Sequence, residues 1–223
     1  MGLLLKQLEQ IVSALKDKNE LTKKIEDCAR MLLLKYVLQV QDERYDILEI
    51  EFYLNNGRDH QDPYAHSVQY PKRIKPIQGV IGSWYFHRFA GIDTYTHTRR
   101  GLDLTVGDAN EGIYGGILIR SIRNQDKGIV ISGPSRVVGE LLMQSKNPCI
   151  IELAAKRVLA GSAFQAENKL FITERASELV EPVFKSARFG LGNKSPEYRD
   201  RYYRFFTHPE WLGIGVKEVL PLL

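Results

Sequence analysis

The sequence contains little cysteine and no long apolar run, and both absences narrow the class of protein. Two cysteines, Cys28 and Cys149, occur in 223 residues, too few for a disulfide framework or a cysteine metal cage. A reducing cytoplasm is the simplest compartment for such a chain. The longest apolar runs, such as Met31-Leu32-Leu33-Leu34, are far shorter than the roughly 20 residues of a membrane span. The first six residues fit neither a signal peptide nor a myristoylation motif.

The chain also has little excess charge of either sign. Its 31 Lys and Arg residues against 27 Asp and Glu residues leave a formal charge of +4, which permits a polyanionic partner without requiring one. Charged residues make up 26% and hydrophobic residues 43% of the chain, and this composition excludes a disordered protein. The length suits one compact domain with a sizeable core.

Hydrophobic periodicity predicts helices first and a sheet afterwards. The first 38 residues have the three- and four-residue spacing of helix, interrupted at Asn19-Glu20. From about residue 44 a period of two predicts strands, Pro71 to Pro76 is irregular, and Gly133-Pro134-Ser135 opens a further helix. We therefore predict an α+β protein: N-terminal helices, then a single-domain, Gly-rich, mainly antiparallel curved sheet with short helices around it. The strand-like runs are 79–89, 101–106 and 113–122, with a short strand at 128–132 that enters the helix, and short segments follow at 150–155 and 170–173.

The strand predicted over residues 45–54 places two carboxylates on one face. A period of two puts Glu49, Glu51 and Tyr53 on one side and Ile50 and Phe52 on the other. On a solvent-exposed face these polar residues need no further explanation. In a cleft, Glu51 becomes a candidate general base with Tyr53 beside it. Both interpretations stay open at this point.

Histidine is concentrated in one part of the chain. Four of the five histidines, His60, His66, His87 and His97, fall between residues 60 and 97. Their spacings match no metal-binding motif, and no cysteine accompanies them. The ordinary interpretation is surface or hydrogen-bonded histidine, and stacking or proton transfer in a pocket comes second.

Two groups of arginines suggest different roles. The stretch from Arg188 to Arg204 interleaves basic with aromatic residues, which suits phosphate contact plus stacking or, equally, solvated charge over buried rings. Arg120 ends an apolar run, so we expect a carboxylate or phosphate partner for it. Gly115-Gly116 before that run indicates close backbone packing rather than a phosphate loop.

Several short segments between residues 29 and 206 occur in an ordered set. They are Ala29-Arg30-Met31-Leu32-Leu33-Leu34, Glu49-Ile50-Glu51-Phe52-Tyr53, Ala65-His66-Ser67, Gly115 to Arg120, Ser132-Gly133-Pro134-Ser135, Ala187-Arg188-Phe189-Gly190 and Arg204-Phe205-Phe206. Together they resemble the alkyladenine (3-methyladenine) DNA glycosylase family, of the methylpurine type, with this chain as a divergent member. The resemblance begins near residue 25, so we predict an N-terminal helical extension over 1–24 and a glycosylase-like domain over 25–223.

The resemblance implies a DNA glycosylase of base excision repair that hydrolyses the N-glycosidic bond of a flipped-out alkylated purine. Glu51 would activate the attacking water, and Arg120 would support the site. Tyr53 and His66 would stack on or hydrogen-bond the extruded base. The implied partner is double-stranded DNA that contains a damaged purine, with no cofactor, no metal, no membrane and no stable protein partner.

Two pocket positions depart from the family pattern. His87 stands where the family has a pocket tyrosine, and Asp103 stands where it has the asparagine that limits access of normal guanine. An aspartate close to Glu51 could share the role of the base.

The contacts to DNA also depart from the family. About ten residues, 90–100, are inserted where the family keeps its wedge tyrosine, and Phe89 and Tyr95 are candidate substitutes.

Two alternatives stay open: a nucleic-acid-binding relative without catalysis, and a hydrolase of small nucleosides on the same scaffold. The residues assigned to the DNA backbone are Lys72, Arg73 and Arg188.

Overall fold

The structure is a computed structural model, and it describes residues 2–17, 20–69, 71–87, 100–146, 150, 153, 162–212 and 219–222. Two amphipathic helices, α1 (Gly2–Asp17) and α2 (Leu21–Lys35), open the chain. Their buried residues recur every three or four positions, as the sequence pattern predicts. No helix within the described residues is both long and apolar enough to cross a bilayer.

In the described part of the chain, ten strands form one mainly antiparallel sheet that does not close on itself. Its central path has the order β10-β8-β9-β2-β5-β4-β3, while β1 pairs with β2 and β7, and β6 pairs with β5. The predicted α+β architecture is confirmed. The strands are β1 (Tyr36–Val40), β2 (Glu43–Asn55), β3 (Trp84–Phe86), β4 (Leu102–Thr105), β5 (Tyr114–Asn124), β6 (Val130–Ser132), β7 (Leu170–Glu174), β8 (Phe184–Ser186), β9 (Arg204–Phe206) and β10 (Leu220–Pro221).

Shorter helices surround the sheet, and one of those in the described residues corrects the sequence prediction. The segment predicted as irregular is helical, because Pro71 occupies the first helical position, where its missing N–H costs little. The predicted helix after Gly133 is confirmed and begins at Pro134. Those with described bounds are α3 (His66–Gln69), α4 (Pro71–Gln78), α5 (Pro134–Gln144) and α6 (Pro196–Arg199).

The helix prediction for residues 36–38 is wrong, because these residues begin strand β1. The backbone becomes extended at Tyr36, with φ −123° and ψ 157°. β1 then pairs with β2 on one side and β7 on the other. Aromatic and β-branched side chains at 36–37 suit a strand with neighbours on both edges, and periodicity over so few residues cannot reveal that pairing.

The hydrophobic core joins the N-terminal helices to one face of the sheet. α1 packs on α2, and α2 packs on β1 and β2. Leu8 of α1 belongs to the same cluster of buried side chains as Phe52 of β2 and Ile117 of β5. The N-terminal helices therefore cover the apolar face of the sheet. The predicted division into an N-terminal extension, 1–24, and a domain, 25–223, stays a prediction.

Shortening Leu8 to Ala is expected to destabilise the whole fold, because Leu8 is 0% exposed within this shared core. Such truncations cost about 2–5 kcal/mol. Leu3→Ala on the same helix is the control, since Leu3 is 59% exposed and its truncation should change the unfolding free energy by less than about 0.5 kcal/mol. Equilibrium urea unfolding measures both, and equal midpoints for the two variants would contradict the shared core.

Candidate active site

The candidate site follows one row of side chains across five adjacent strands. Tyr85 of β3 pairs with Asp103 of β4, and Asp103 pairs with Leu118 of β5. Leu118 pairs with Glu51 of β2, which pairs on its other side with Arg204 of β9. Residues opposite one another in antiparallel strands point to the same face. This face is opposite the apolar core, and Glu51 and Asp103 are two strand spacings apart, about 10 Å.

Arg120 lies at an irregularity of the sheet. The register of β2 and β5 shifts beside Glu49, and Arg120 falls between two paired positions of β5. Such bulges redirect a side chain. Arg120 Nε lies 2.9 Å from Glu49 Oε1, and its Nη1 lies 3.3 Å from Glu51 Oε2. Arg120 was expected to have a carboxylate partner, and it contacts two carboxylates, those of Glu49 and Glu51.

Glu49 is the centre of a buried ionic network. Its carboxylate accepts hydrogen bonds from Arg120, from the Ser121 hydroxyl and from Arg204 Nε at 2.6 Å. Burial raises the pKa of Glu49, but Arg120 and Arg204 outweigh burial, so this pKa lies below its ordinary value of 4.5. Glu49 and Glu51 are 2% and 0% exposed, which excludes the interpretation of a solvent-exposed face.

Glu51 is surrounded by hydrogen-bond donors. Oε2 accepts from the Tyr53 hydroxyl at 2.6 Å and from Arg120, while Oε1 accepts from the backbone N–H of Phe189 at 2.9 Å. Burial and the charge of Glu51 raise the pKa of Tyr53 well above its ordinary value, so its hydroxyl keeps its proton and donates. A carboxylate accepts about four hydrogen bonds, so these contacts leave Glu51 room for one more donor, such as water.

A small cavity opens beside Tyr53. Its volume is 150 Å³, well below the roughly 300–1,000 Å³ of pockets for drug-sized ligands, so a single ring system is the occupant that its size suits. The structure brings together the four residues assigned to the base pocket, and Glu51 connects with them through the Tyr53 hydroxyl. The lining comprises Tyr53, Tyr64, His66, Gln69, His87, Asp103, Leu118 and Leu191.

His87 and Asp103 form a hydrogen-bonded pair in the cavity wall. His87 Nε2 lies 2.6 Å from Asp103 Oδ1, and Gln78 donates to Asp103 Oδ2 at 3.3 Å. The His66 ring centroid lies 4.3 Å from that of His87, and His66 Nδ1 lies 2.9 Å from the Tyr85 hydroxyl. Asp103 thus contacts His87 rather than Glu51, which corrects the expectation that the two carboxylates lie close together.

Two glycines make room for this pair. A Cβ atom at Gly101 would lie 2.5 Å from His87 Nδ1, and a Cβ atom at Gly116 would lie 2.6 Å from Asp103 Oδ2. Both distances are far shorter than any normal van der Waals contact. The close packing predicted for Gly115-Gly116 is confirmed, since a Cβ atom at Gly115 would meet the Tyr53 carbonyl at 2.8 Å.

Arg188 supports the Tyr53 ring and is not available to DNA. Its side chain is fully buried in an ion pair with Asp62, and it donates to the carbonyls of Phe52 and Tyr198. Its Cζ lies 4.6 Å from the centroid of the Tyr53 ring. The assignment of Arg188 to the DNA backbone is therefore wrong, because a buried, paired guanidinium cannot reach a phosphate.

Other arginines of the same stretch are also paired within the protein. Arg199 bonds Asp200 at 2.6 Å, and Arg201 forms an ion pair with Glu197. Arg204 belongs to the Glu49 network. The basic and aromatic composition of this stretch therefore reflects internal ion pairs to a large extent.

Some predicted residues fall outside what the structure describes. The side chain of Arg73 and the residues Phe89, Tyr95 and His97 lie outside the described part, as does Cys149. Of the insertion at 90–100, residue 100 alone is described. Lys72 is described and is exposed on α4.

The three described histidines of the predicted cluster separate into two environments. His66 and His87 line the cavity, whereas His60 is buried against the rings of Tyr198 and Tyr203. Burial and the nearby arginines lower the pKa of His60 to about 4, so it is a neutral structural residue at pH 7. No group of three or more His, Cys, Asp or Glu side chains among the described residues could hold a metal ion.

Sequence interpretation missed several contributors to the site, among them Tyr64, Gln69 and Asp62. Tyr64 and Gln69 line the cavity, and both flank the Ala65-His66-Ser67 segment, so proximity to that motif was an available signal. Asp62 forms an ion pair with Arg188, which lies 126 residues further along the chain. No local pattern connects residues so far apart.

The fold and the site together define an α+β protein whose sheet carries a buried carboxylate–guanidinium network beside a small aromatic cavity. No protein-family model matches the chain. The chain is 32% identical over 190 residues to a protein of Acanthamoeba polyphaga mimivirus named "Uncharacterized protein L759", and the match covers 80% of this chain and 83% of that protein. The chain belongs to the same family as this viral protein.

Replacing Glu49 with Gln is expected to destabilise the protein, because two buried guanidinium groups, those of Arg120 and Arg204, would lose the carboxylate that both contact. Breaking a buried ion network in this way costs about 3–5 kcal/mol. Glu197→Gln is the matched control: the same change in an ion pair whose glutamate is 68% exposed should cost less than about 1 kcal/mol. Urea unfolding at pH 7 measures both variants, and equal losses would argue against the network.

The pH dependence of stability provides a second measurement on Glu49→Gln. The pKa of Glu49 is lower in the folded protein than its ordinary value of 4.5. Its contribution to stability is therefore present above that value and is lost as the pH falls through the lower, folded-state pKa. We expect the wild-type protein to lose stability in this acid range, and Glu49→Gln to lose less. If the unfolding free energies of the wild type and Glu49→Gln changed with pH in the same way, the role of Glu49 would be contradicted.

Proposed function

We propose that the protein hydrolyses the N-glycosidic bond of a damaged purine, with Glu51 as the base that activates water. The observation that carries this proposal is the contact of the buried Glu51 carboxylate with Tyr53, which itself lines a ring-sized cavity. The resemblance to methylpurine-DNA glycosylases supports the same roles for Glu51 and Tyr53. A buried carboxylate with one remaining acceptor position, next to a cavity for a planar ring, suits this reaction.

Each group around Glu51 has a part in the proposed reaction. Glu51 takes a proton from water while the water oxygen attacks C1′ of the sugar, and the C1′–N9 electron pair leaves with the base. Arg120 and the Tyr53 hydroxyl hold the carboxylate in position. A purine alkylated at N3 or N7 carries a positive charge and leaves as a neutral molecule. Aromatic faces such as those of Tyr53 and Tyr64 attract such a cation.

The proposed substrate is a damaged purine in double-stranded DNA, from which the nucleotide is flipped into the cavity. Lys72, exposed on α4, is proposed as a contact for the DNA backbone. The setting of this activity would be base excision repair in a reducing cytoplasm with access to DNA, in keeping with the scarcity of cysteine.

A second candidate function is hydrolysis of a small free nucleoside. It is favoured by the internal pairing of Arg188, Arg199, Arg201 and Arg204. These ion pairs leave that stretch little free charge for a phosphate backbone, and phosphate contacts dominate the affinity of proteins for DNA.

The wild-type protein is expected to release 3-methyladenine from an alkylated duplex, and Glu51→Gln is expected to release it at least about 100-fold more slowly, because loss of a general base costs about 10²–10⁴ in rate. Glu197→Gln is the control, since it makes the same chemical change at an exposed residue outside the site. Single-turnover excision, followed by chromatography of the released base, measures all three.

This assay, repeated on a free alkylated nucleoside and combined with a measurement of DNA binding at several salt concentrations, gives four results that separate the candidate functions. Equal rates for the wild type and Glu51→Gln would contradict the role of Glu51. Release from a free alkylated nucleoside that competing DNA does not diminish would select the second candidate. Salt-sensitive DNA binding without base release would indicate a non-catalytic relative. Release from DNA that depends on Glu51 would support the proposal.

A further inference from the structure

An ion pair between Asp62 and Arg188 is completely buried next to the cavity. Both side chains are 0% exposed, and the carboxylate of Asp62 accepts from both terminal nitrogens of the guanidinium, Nη1 and Nη2. Burying two charges is costly, and replacing such a pair with apolar residues is often neutral or stabilising. Stability alone is therefore a poor explanation for this pair.

The contacts of Arg188 join three separate parts of the chain. Its Nη1 donates to the Phe52 carbonyl of β2 at 3.1 Å, and its Nη2 donates to the Tyr198 carbonyl of α6 at 2.6 Å. Asp62 belongs to the segment between β2 and α3. One guanidinium therefore fixes this segment and α6 against the strand that carries Glu51. Supports of this kind hold the groups of a site in a precise geometry.

Tyrosine rings surround the same guanidinium. Arg188 Cζ lies 4.6 Å from the centroid of the Tyr53 ring and 5.4 Å from that of the Tyr64 ring. The centroid of the Tyr203 ring is 5.8 Å away. Among the described residues, Arg188 Nε has no hydrogen-bond acceptor, so the ring faces are what stabilises this part of the cation. Since Tyr53 and Tyr64 line the cavity, Arg188 fixes two of its aromatic walls.

Tyr53 connects this support to Glu51. The Tyr53 hydroxyl donates to Glu51 Oε2 at 2.6 Å, and the geometry of that hydrogen bond depends on where the ring lies. Burial and the charge of Glu51 raise the pKa of Tyr53, whereas Arg188 opposes that rise. The guanidinium thus both places the ring and favours its hydroxyl as a donor to the carboxylate.

We propose that Arg188, anchored by Asp62, is a positioning residue of this site: it holds Tyr53 so that the phenol fixes the Glu51 carboxylate for its reaction with water. This inference rests on the proposed N-glycosidic hydrolysis. Arg188 acts on the chemical step through Tyr53 rather than by contact with the substrate. Its effect on that step must therefore disappear when the Tyr53 hydroxyl is removed, which a general loss of structure would not do.

The test neutralises the whole ion pair, so that no buried charge is left alone. The double variant Asp62→Asn/Arg188→Met is made with Tyr53 intact and again together with Tyr53→Phe. Single-turnover release of 3-methyladenine from an alkylated duplex, at saturating protein, measures the chemical step. With Tyr53 intact we expect this rate to fall by about 10- to 100-fold, since a misplacement of about 1 Å can cost 10²-fold. Together with Tyr53→Phe, the double change should have almost no further effect.

A second buried ion pair provides the matched control. Asp46 and Arg175 lie 2.8 Å apart, with side chains that are 10% and 7% exposed, and neither lines the cavity. Asp46→Asn/Arg175→Met makes the same chemical changes and should keep the wild-type rate. Circular dichroism checks that each variant is folded. If Asp62→Asn/Arg188→Met does not fold, Arg188→Lys replaces it in the comparison, because it keeps the buried charge but loses the planar guanidinium contacts.

The outcomes separate this inference from the proposed function. A fall in the saturating rate that exceeds the loss of affinity, and that depends on the Tyr53 hydroxyl, supports the positioning role. An unchanged rate, an equal loss with and without that hydroxyl, or a loss of affinity alone overturns it and leaves the proposed hydrolysis intact. If the wild type releases the base from neither the duplex nor a free alkylated nucleoside, the proposed hydrolysis fails, and the positioning role fails with it.

Discussion

The register of β2 against its neighbours is the constraint on which the candidate site depends. Side chains alternate along a strand, so a slip of one residue would turn Glu51 into the core and Ile50 towards the cavity. Ile50 and Phe52 are fully buried in the core, and their burial makes such a slip costly. Hydrophobic packing on one face therefore fixes the position of the carboxylates on the other. The same register places Leu118 between Glu51 and Asp103 and thereby sets the width of the site.

The described arginines around the candidate site act on the protein's own carboxylates. Arg120 reaches both Glu49 and Glu51 because it lies at a shift in register, and Arg204 balances the remaining charge. With two carboxylates and two guanidinium groups, the network has no net charge, which reduces the cost of burying it. Arg188 pairs in the same way with Asp62 beneath the Tyr53 ring. The excess of basic residues in the sequence is thus a poor measure of the charge that an external partner would meet.

Sequence patterns predicted those features of the fold and of the candidate site that depend on residues close together in the chain. The alternation in β2 correctly placed Glu49, Glu51 and Tyr53 on one face, and the resemblance assigned to one pocket the side chains that do line one cavity. The ion pairs could not be anticipated, because Glu49 and Arg204 are 155 residues apart and Asp62 and Arg188 are 126 apart. Periodicity describes how one element faces its surroundings, whereas such pairs depend on how distant elements dock. The same limit explains the error at Arg188, whose neighbours in sequence resemble a phosphate-binding stretch.

The two carboxylates of the cross-strand row differ in their surroundings, and this difference separates their chemical roles. Glu51 is held by a guanidinium, a phenol and a backbone N–H, all of which donate, so it is equipped to accept a further proton donor such as water. Asp103 is held by an imidazole on one carboxylate oxygen and by an amide on the other, so both of its oxygens are engaged within the protein. Environments that differentiate two titratable groups in one site are typical of acid–base catalysis. A single row of a sheet, with a leucine between its two carboxylates, is sufficient to produce that separation.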